Sequence, residues 1–532
     1  MNIAQLKENI SKTTVLFIII LGIAVYLRMV NIISEQLWHD EGGTIDYVNS
    51  SWGYMFKAVT EEKNPILYYT ILKLWVFLFG NSVFSCRLLS VIFSILTVPI
   101  LFLLGREIKD DKLGLIIMFF YAISPFSIWY ANEVRMYSFL QLIFTIAFYF
   151  SIKILKEPVN KKYYIYFSLT SVCMIYTHYI GVLYLVILGS EIFLFNRKVE
   201  SFYKNAVTSV AIIIFCYIPW IPYAIADLLG GPTAYTGGPL NLINLSYWAF
   251  YIFVAPVPSY IHIQYVVNLI ILAFLINFPL LILSSISIIG FLYSYRNKDY
   301  FQIKTIINFT ILSIILIFGL QIIIGILIVN TFQAKNLIGG LTPIYLIEGI
   351  GIYYLIIDKG SSFNQNIKKI FKKINPTIFK KIFYPLIITI LICNVIVFPI
   401  FKTIYLQKPD WNGCVKKLKK EYKSHDIVIN QNGASQLPEV MAYYCDLHDF
   451  DFDENTYDLL YEDKNIKEFF KFVEDEKITR IWIVSYHKHI YDPDDKTKDK
   501  LEDEYGYNLE EVEKYEFRLD LTLTLYEIQP IT

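Results

Sequence analysis

Residues 13–43 read TTVLFIIILGIAVYLRMVNIISEQLWHDEGG. The part from Val15 to Ile33 is apolar except at Arg28 and Asn31, and it is long enough to cross a bilayer, which takes roughly 20 apolar residues. Two adjacent acids, Asp40 and Glu41, follow directly. A charge beside a low-dielectric phase is costly and therefore indicates a function. The stretch predicts a first membrane span that leads into the acidic loop of an enzyme acting at the membrane face.

The composition of the whole chain supports a membrane class. Of 532 residues, 55% are hydrophobic and 18% are charged, whereas soluble domains have about 25% charged residues. The formal net charge is zero, which leaves no electrostatic case for a nucleic-acid partner. The apolar blocks predict about eleven spans, at residues 13–33, 86–104, 113–129, 137–155, 163–178, 179–196, 206–225, 264–293, 305–329, 337–357 and 383–405.

Basic residues set the predicted orientation, since Lys and Arg concentrate in cytoplasmic loops. With Lys7 and Lys12 in the cytoplasm, every second loop is basic, and the loop at 358–382 holds seven lysines. Segment 226–263, on the other side, has no Lys or Arg. We therefore expect a multi-pass protein of the plasma membrane with a cytoplasmic N-terminus.

Two domains are predicted. Residues 1–405 form the membrane domain, and its outside loops, which carry the chemistry, are 34–85, 130–136 and 226–263. After residue 405, Lys, Asp, Glu and Tyr dominate, and strand-like runs alternate with helical patterns. Residues 406–532 are therefore predicted to be a soluble α/β domain outside the cytoplasm. Cys414 and Cys445 lie in this domain, and whether they form a disulfide is left open.

The predicted outer face collects a short set of polar side chains: Asp40, Glu41, Asn64, Tyr68, Tyr69, Glu133, Arg135, Tyr137, His178 and Lys335. Carboxylates with cations at a lipid interface suit transfer from a lipid-linked phosphate. A cation such as Arg135 or Lys335 neutralises the departing phosphate, and Asp40 accepts the proton of the attacking hydroxyl. Asp40 and Glu41 could instead hold Mg²⁺ or Mn²⁺, although two carboxylates alone are a weak site.

Ordinary structural roles stay open for these residues. Glu133 and Arg135 could form an interfacial ion pair, and His178 could end a helix. The tyrosines are equally typical of the aromatic belt, and Lys335 could snorkel to the boundary. Asp40 is the hardest of the set to explain by structure alone.

Four motifs in fixed order resemble prokaryotic members of glycosyltransferase family 39, related to protein O-mannosyltransferases and to aminoarabinose transferases that modify lipid A. They are WHDE at 38–41, NPILYY at 64–69, SPFSIWYANEVRMY at 124–137 and YTHY at 176–179. The resemblance covers about residues 13–360. It implies a GT-C fold with about eleven transmembrane helices, a polyprenyl- or dolichyl-phosphate sugar donor and an inverting displacement.

The resemblance also implies roles for individual residues. Asp40 matches the family's catalytic base or its positioning partner, and Glu41 matches the second acid. Glu133 and Arg135 match a Glu-x-Arg expected near the donor phosphate, with Lys335 where many members carry Arg. The remaining residues of the set, Asn64, Tyr68, Tyr69, Tyr137 and His178, are expected to bind substrate. Asn64 replaces the usual His, so a role that needs an imidazole there is not carried over.

The predicted function is transfer of a hexose or pentose, with mannose among the candidates, to a protein, lipid or glycan acceptor outside the cytoplasm. An oligosaccharide or polymer ligase of GT-C type is the alternative. A lipid-linked sugar transporter is less favoured, because transporters usually show repeats and charges near the bilayer midplane. A catalytically dead relative that binds a partner is disfavoured by the intact acidic pair and Glu-x-Arg.

Overall fold

A computed structural model of the chain describes residues 12–30, 32, 36–229, 242–254, 263–296, 303–327, 333–357, 385–405, 408–431, 438–450, 456–458, 473, 477–486, 498–499, 502, 507–517 and 521–530. These residues divide into two compact units. The first draws on Met1–Ile32, Ser50–Val257 and Val267–Lys402, and the second on Ile33–Asn49, Pro258–Val266 and Thr403–Thr532. The acidic loop therefore groups with the C-terminal part of the chain.

The first unit is helical. The helices lying wholly or mainly in the first unit are α1 (Lys12–Met29), α3 (Trp52–Glu61), α4 (Leu67–Phe79), α5 (Val83–Ile108), α6 (Asp111–Ala122), α7 (Pro125–Ala131), α8 (Tyr137–Lys156), α9 (Lys161–Ile175), α10 (Ile180–Asn196), α11 (Glu200–Tyr217), α12 (Ile221–Leu229), α13 (Leu242–Phe253), α14 (Ile263–Arg296), α15 (Lys304–Leu327), α16 (Leu341–Ile352) and α17 (Pro385–Ile404). The division of the chain places residues 263–266 of α14 and 403–404 of α17 in the second unit. The second unit contains helix α2 (His39–Asn49).

Seven helices in the described ranges are long and apolar enough to cross a membrane, or eight if one bent pair counts as a single span. Three other predicted spans fall on the shorter helices α9, α10 and α16. The basic loop predicted at 358–382 lies outside the described residues, as do 230–241 and 255–262 of the predicted outside segment 226–263. All eleven predicted spans therefore correspond to helical regions of the structure.

The predicted span 113–129 is not one straight helix. Its two halves, α6 and α7, meet at an angle of 64°. Pro125 starts α7 because it has no N–H to continue the α6 ladder, and the Ser124 hydroxyl caps the new helix by accepting from the Ser127 amide. A break inside a span leaves carbonyl oxygens that must find donors.

Arg28 supplies those donors. Its guanidinium donates to the carbonyl oxygens of Tyr121 and Ala122 at 3.2 and 3.0 Å, and to the Ser94 hydroxyl at 2.7 Å. The side chain is fully buried. The one charge that interrupts the first apolar span therefore satisfies carbonyl oxygens at the end of α6.

Two glycines allow a close approach between α5 and α6. A Cβ on Gly105 of α5 would lie 2.6 Å from the Cα of Gly114 on α6. The two backbones approach in the way that glycine pairs permit between membrane helices. This contact fixes α6, and through it the start of α7, against α5.

The second unit contains a five-stranded sheet of order β2-β1-β3-β5-β4. The strands are β1 (Asp426–Gln431), β2 (Thr456–Asp458), β3 (Arg480–Tyr486), β4 (Tyr507–Phe517) and β5 (Leu521–Pro530). β1 pairs parallel with β2 and β3, while β5 runs antiparallel to β3 and β4. Two helices accompany the sheet, α18 (Trp411–Glu421) and α19 (Pro438–Leu447). The sequence also has a helical pattern at residues 465–475, which lies almost entirely outside the described residues.

The sheet is an α/β core of the predicted kind. One face buries a cluster of apolar side chains: Ile427, Ile429, Val473, Ile481, Ile483, Leu509 and Tyr526. At the start of β1, the Asp426 carboxylate accepts from Arg480 Nε at 2.7 Å and from the Trp482 indole at 2.9 Å. These bonds hold the first residues of the two central strands together.

Candidate active site

The turn between α7 and α8 carries the Glu-x-Arg motif. The Trp129 indole donates to Glu133 Oε1 at 2.8 Å, and the Ser138 hydroxyl donates to the Tyr130 carbonyl oxygen at 2.9 Å. These two bonds tie the turn to the helices on either side. Arg135 lies in the turn and is buried, with 8% of its surface exposed. The turn therefore fixes a guanidinium in a mostly water-excluded position.

Lys335 belongs to the same region of the first unit. Its ammonium lies 5.6 Å from the ring centre of Tyr137, within the range of a cation–π interaction. Lys335 sits in a 3₁₀ turn, Ala334–Leu337. The Tyr184 hydroxyl donates to the Asn336 carbonyl oxygen. The site's second cation is thus held by a turn that α10 anchors.

His178 completes this group. Its ring centre lies 6.1 Å from that of Tyr137. The Nδ1 atom accepts a hydrogen bond of 3.1 Å from the Ile180 amide, so the proton of the neutral ring is on Nε2. Burial, and after it the positive charges of Lys335 and Arg135, lower the pKa of His178 to about 3. At neutral pH the ring is uncharged and offers one N–H donor.

The C-terminal end of α9 is hydrogen-bonded to the start of α4. The Leu67 amide donates to the Tyr176 carbonyl oxygen at 3.0 Å. Tyr68 and Tyr69 are buried on α4. The Tyr68 hydroxyl is 3.2 Å from the Ser90 hydroxyl, and Arg135 interacts with it electrostatically.

The structure thus brings together five of the predicted residues: Tyr68, Arg135, Tyr137, His178 and Lys335. Asn64 lies in the loop before α4, and its amide donates to the Glu62 carboxylate at 3.3 Å. The Glu133 carboxylate accepts from the Trp129 indole. Two cations, two tyrosines and a neutral imidazole thus form a partly buried group, which we call the cation cluster.

Asp40 and Glu41 occupy the first turn of α2, in the second unit. Asp40 is partly exposed, and its carbonyl oxygen accepts from the Thr44 hydroxyl at 2.7 Å. Glu41 is fully buried. Its Oε2 accepts from Lys408 Nζ at 2.5 Å and from the Trp38 amide at 2.9 Å. The two adjacent acids therefore have different surroundings, and Asp40 is the more accessible.

This donor set does not fit a divalent cation. A lysine ammonium already binds the Glu41 carboxylate, and a second cation there would oppose that charge. Within the part of the chain that the structure describes, no group of three or more His, Cys, Asp or Glu side chains could hold a metal ion.

The sequence reasoning missed Lys402. It lies near the end of α17 with 1% of its surface exposed, and its ammonium is 5.0 Å from the ring centre of Trp129. Trp129 is the residue that binds Glu133. A lysine at the end of an apolar segment is typical of snorkelling, and only its burial distinguishes it.

Part of the chain matches a known protein family. A family model described as "Dolichyl-phosphate-mannose-protein mannosyltransferase" matches residues 63–223. That segment contains Asn64, the Glu-x-Arg turn and His178. Among curated protein sequences, no match was found.

Solved structures share the fold. ArnT from Cupriavidus metallidurans in the apo state aligns with a TM-score of 0.55 at 9% identity, over 97% of this chain and 98% of that one. The same protein bound to undecaprenyl phosphate gives 0.54 at 8% identity, over 96% and 97%. The oligosaccharyltransferase AglB from Archaeoglobus fulgidus, in complex with an inhibitory peptide and a dolichol-phosphate, gives 0.51 at 10% identity, over 96% of this chain and 74% of that one.

The sequence predictions can be judged against these matches. The resemblance to the mannosyltransferase family is confirmed over residues 63–223, and the GT-C membrane fold is confirmed by the solved structures. The matching family supports the predicted enzyme class of glycosyltransferase. The chain is an integral membrane protein. The roles predicted for individual site residues stay predictions.

Proposed function

From this family match and fold, we propose that the chain transfers a sugar from a polyprenyl- or dolichyl-phosphate donor to an acceptor outside the cytoplasm. The observation that carries the proposal is the cation cluster. Arg135 and Lys335 lie in a partly buried site beside a histidine that remains neutral. Such a site favours an anion, since charge-assisted bonds strengthen where water is excluded.

The donor's phosphate is the anion that fits. Arg135 offers a planar fork of donors and Lys335 a compact positive charge, while His178 adds the Nε2–H. Two proteins of the same fold support this choice, because ArnT was solved with undecaprenyl phosphate and AglB with a dolichol-phosphate. The lipid tail would remain in the membrane while the cluster holds the headgroup.

In the proposed reaction, an acceptor hydroxyl oxygen attacks the anomeric carbon of the donor sugar. The bond from that carbon to the phosphate oxygen breaks, and its electron pair stays on the phosphate. Arg135 and Lys335 stabilise the charge that develops there. Asp40 takes the proton of the attacking hydroxyl. The configuration at the anomeric carbon inverts because the displacement is single.

The orientation predicted from the Lys and Arg distribution becomes part of the proposal. With the N-terminus in the cytoplasm, sugar transfer takes place at the outer face of the plasma membrane. The acceptor is then a protein, lipid or glycan of the cell envelope. The donor sugar is a hexose or pentose, with mannose supported by the description of the matching family.

A donor panel tests this proposal. Purified protein in lipid nanodiscs is given polyprenyl phosphates that carry one hexose, one pentose or an oligosaccharide, each with a protein, a lipid or a glycan as hydroxyl acceptor. The reactions are run with and without a chelator, and release of free polyprenyl phosphate is measured. We expect release from a single-sugar donor, with or without chelator. Release only from the oligosaccharide donor would replace the proposal by a ligase. No release from any donor would remove it.

A further inference from the structure

The buried ion pair between Glu41 and Lys408 joins two distant parts of the sequence. Lys408 Nζ lies 2.5 Å from Glu41 Oε2, with 2% and 0% of the two side chains exposed. The same oxygen accepts from the Trp38 amide at 2.9 Å. A carboxylate this deeply buried needs a partner of opposite charge, and Lys408 provides it.

Other contacts within the second unit hold the same helix. The Leu37 amide donates to the Tyr444 hydroxyl at 3.1 Å. Gly42 packs so closely that a Cβ there would lie 2.5 Å from Cγ2 of Val440. Both partners belong to α19. Glu41 therefore belongs to a packed contact between α2 and the C-terminal part of the chain.

Lys408 itself has a defined position. It lies two residues before Asp410, whose carboxylate caps the first turn of α18 by accepting from the Gly413 amide at 2.9 Å. The Trp411 amide donates to the Pro409 carbonyl oxygen at 3.0 Å. Lys408 therefore lies next to the capped start of α18, and its ammonium contacts the Glu41 carboxylate in the first turn of α2.

We propose that Lys408 and Glu41 are a positioning pair for Asp40, an inference that rests on the proposed function. Lys408 neutralises Glu41, and the pair locks the first turn of α2. Asp40, the preceding residue, is left as the acid that reaches substrate. The C-terminal part of the chain thereby orients the proposed base, and Glu41 takes no part in the proton transfer.

Single and double variants of the pair distinguish a positioning role of Glu41 from a direct catalytic role. Lys408→Met leaves a buried carboxylate without its cation, and Glu41→Gln leaves a buried ammonium without its anion. The double variant Glu41→Gln/Lys408→Met removes both charges and keeps an amide oxygen for the Trp38 amide. Replacing both members of a buried pair is often neutral, whereas removing one is disruptive.

The experiment measures single-sugar transfer by the four proteins in nanodiscs, together with hydrogen exchange of the amides of residues 39–49. Each single variant is expected to lower kcat about 100-fold, the cost of a small misplacement of a catalytic group, with the donor KM nearly unchanged and faster exchange in α2. The double variant is expected to regain most of the activity and the slow exchange.

Matched controls come from an exposed pair in the same unit. Lys417 and Glu421 are 3.1 Å apart on α18, with 28% and 35% of their side chains exposed. Lys417→Met and Glu421→Gln should leave kcat and the exchange of residues 39–49 unchanged. A loss in these variants as well would show that the assay reports general damage, and it would overturn the specific role of Lys408.

A double variant as inactive as Glu41→Gln alone, with slow exchange restored, would overturn the proposal and make Glu41 a catalytic residue. Unchanged exchange and kcat in Lys408→Met would also overturn it. Failure of the proposed function can be told apart from failure of the positioning role. In that case the wild-type chain would release no polyprenyl phosphate, while hydrogen exchange in the four proteins could still show that the pair holds α2 in place.

Discussion

The ammonium of Lys335 lies 5.6 Å from the centre of the Tyr137 ring. An aromatic face holds a cation at a defined distance from the ring. This contact places the ammonium beside Tyr137, in a position that suits a site that must hold and release phosphate.

Lys335→Met tests the donor role of this cation. Because the charge acts on the departing phosphate, kcat/KM for the donor should fall by about 100-fold, while the acceptor KM should change little. Lys335→Arg, the matched control, should retain most activity because it keeps the charge. Equal losses toward donor and acceptor would contradict a phosphate role, as would full activity in the methionine variant.

The depressed pKa of His178, about 3, predicts a pH effect with a definite sign. The unfolded chain binds a proton at this histidine below about pH 6.5, whereas the native protein does not. Folding stability is therefore lost as pH falls from about 6.5 toward 3.

His178→Asn should reduce that loss, since asparagine keeps an acceptor for the Ile180 amide but does not titrate. Thermal midpoints of both proteins at pH 7.5 and 5 in the same detergent give the comparison. An identical drop in the two proteins would show that His178 titrates normally in the folded state.

Lys402, buried 5.0 Å from the Trp129 ring, is expected to add a third positive charge near the Glu-x-Arg turn. Lys402→Met should lower kcat/KM for the donor about tenfold, a difference of about 1.4 kcal/mol. Trp129→Phe keeps a ring beneath the cation and removes the bond to Glu133, so it separates the two contacts. Donor and acceptor kinetics measured on both variants, corrected for the folded fraction, decide the matter. If Lys402 had only a structural role, its replacement would lower the folded fraction and leave the corrected kinetics unchanged.

The sequence predicts the membrane fold well because hydrophobic length is a local property. Blocks such as residues 86–104 and 137–155 need only their own composition to be recognised as helices, and the strands at Asp426 and Arg480 follow from β-branched runs between turns. The motif residues Arg135, His178 and Lys335 are also visible in the sequence.

The rest depends on partners far away in the chain. Arg28 is only an interruption in an apolar span until Tyr121 and Ala122 are seen to need its donors. Glu41 pairs with Lys408, which lies 367 residues later in the chain. No local sequence pattern predicts that ion pair. Lys402 has the composition of a boundary lysine, and only packing reveals its burial.

Asp40→Asn tests the central claim most directly. The substitution removes the proton acceptor but keeps the size of the side chain. The variant should therefore fold with an unchanged thermal midpoint and bind the donor normally. Release of polyprenyl phosphate from the single-sugar donor in nanodiscs should fall by about 100- to 10,000-fold. Transfer at the wild-type rate by folded Asp40→Asn protein would contradict the account.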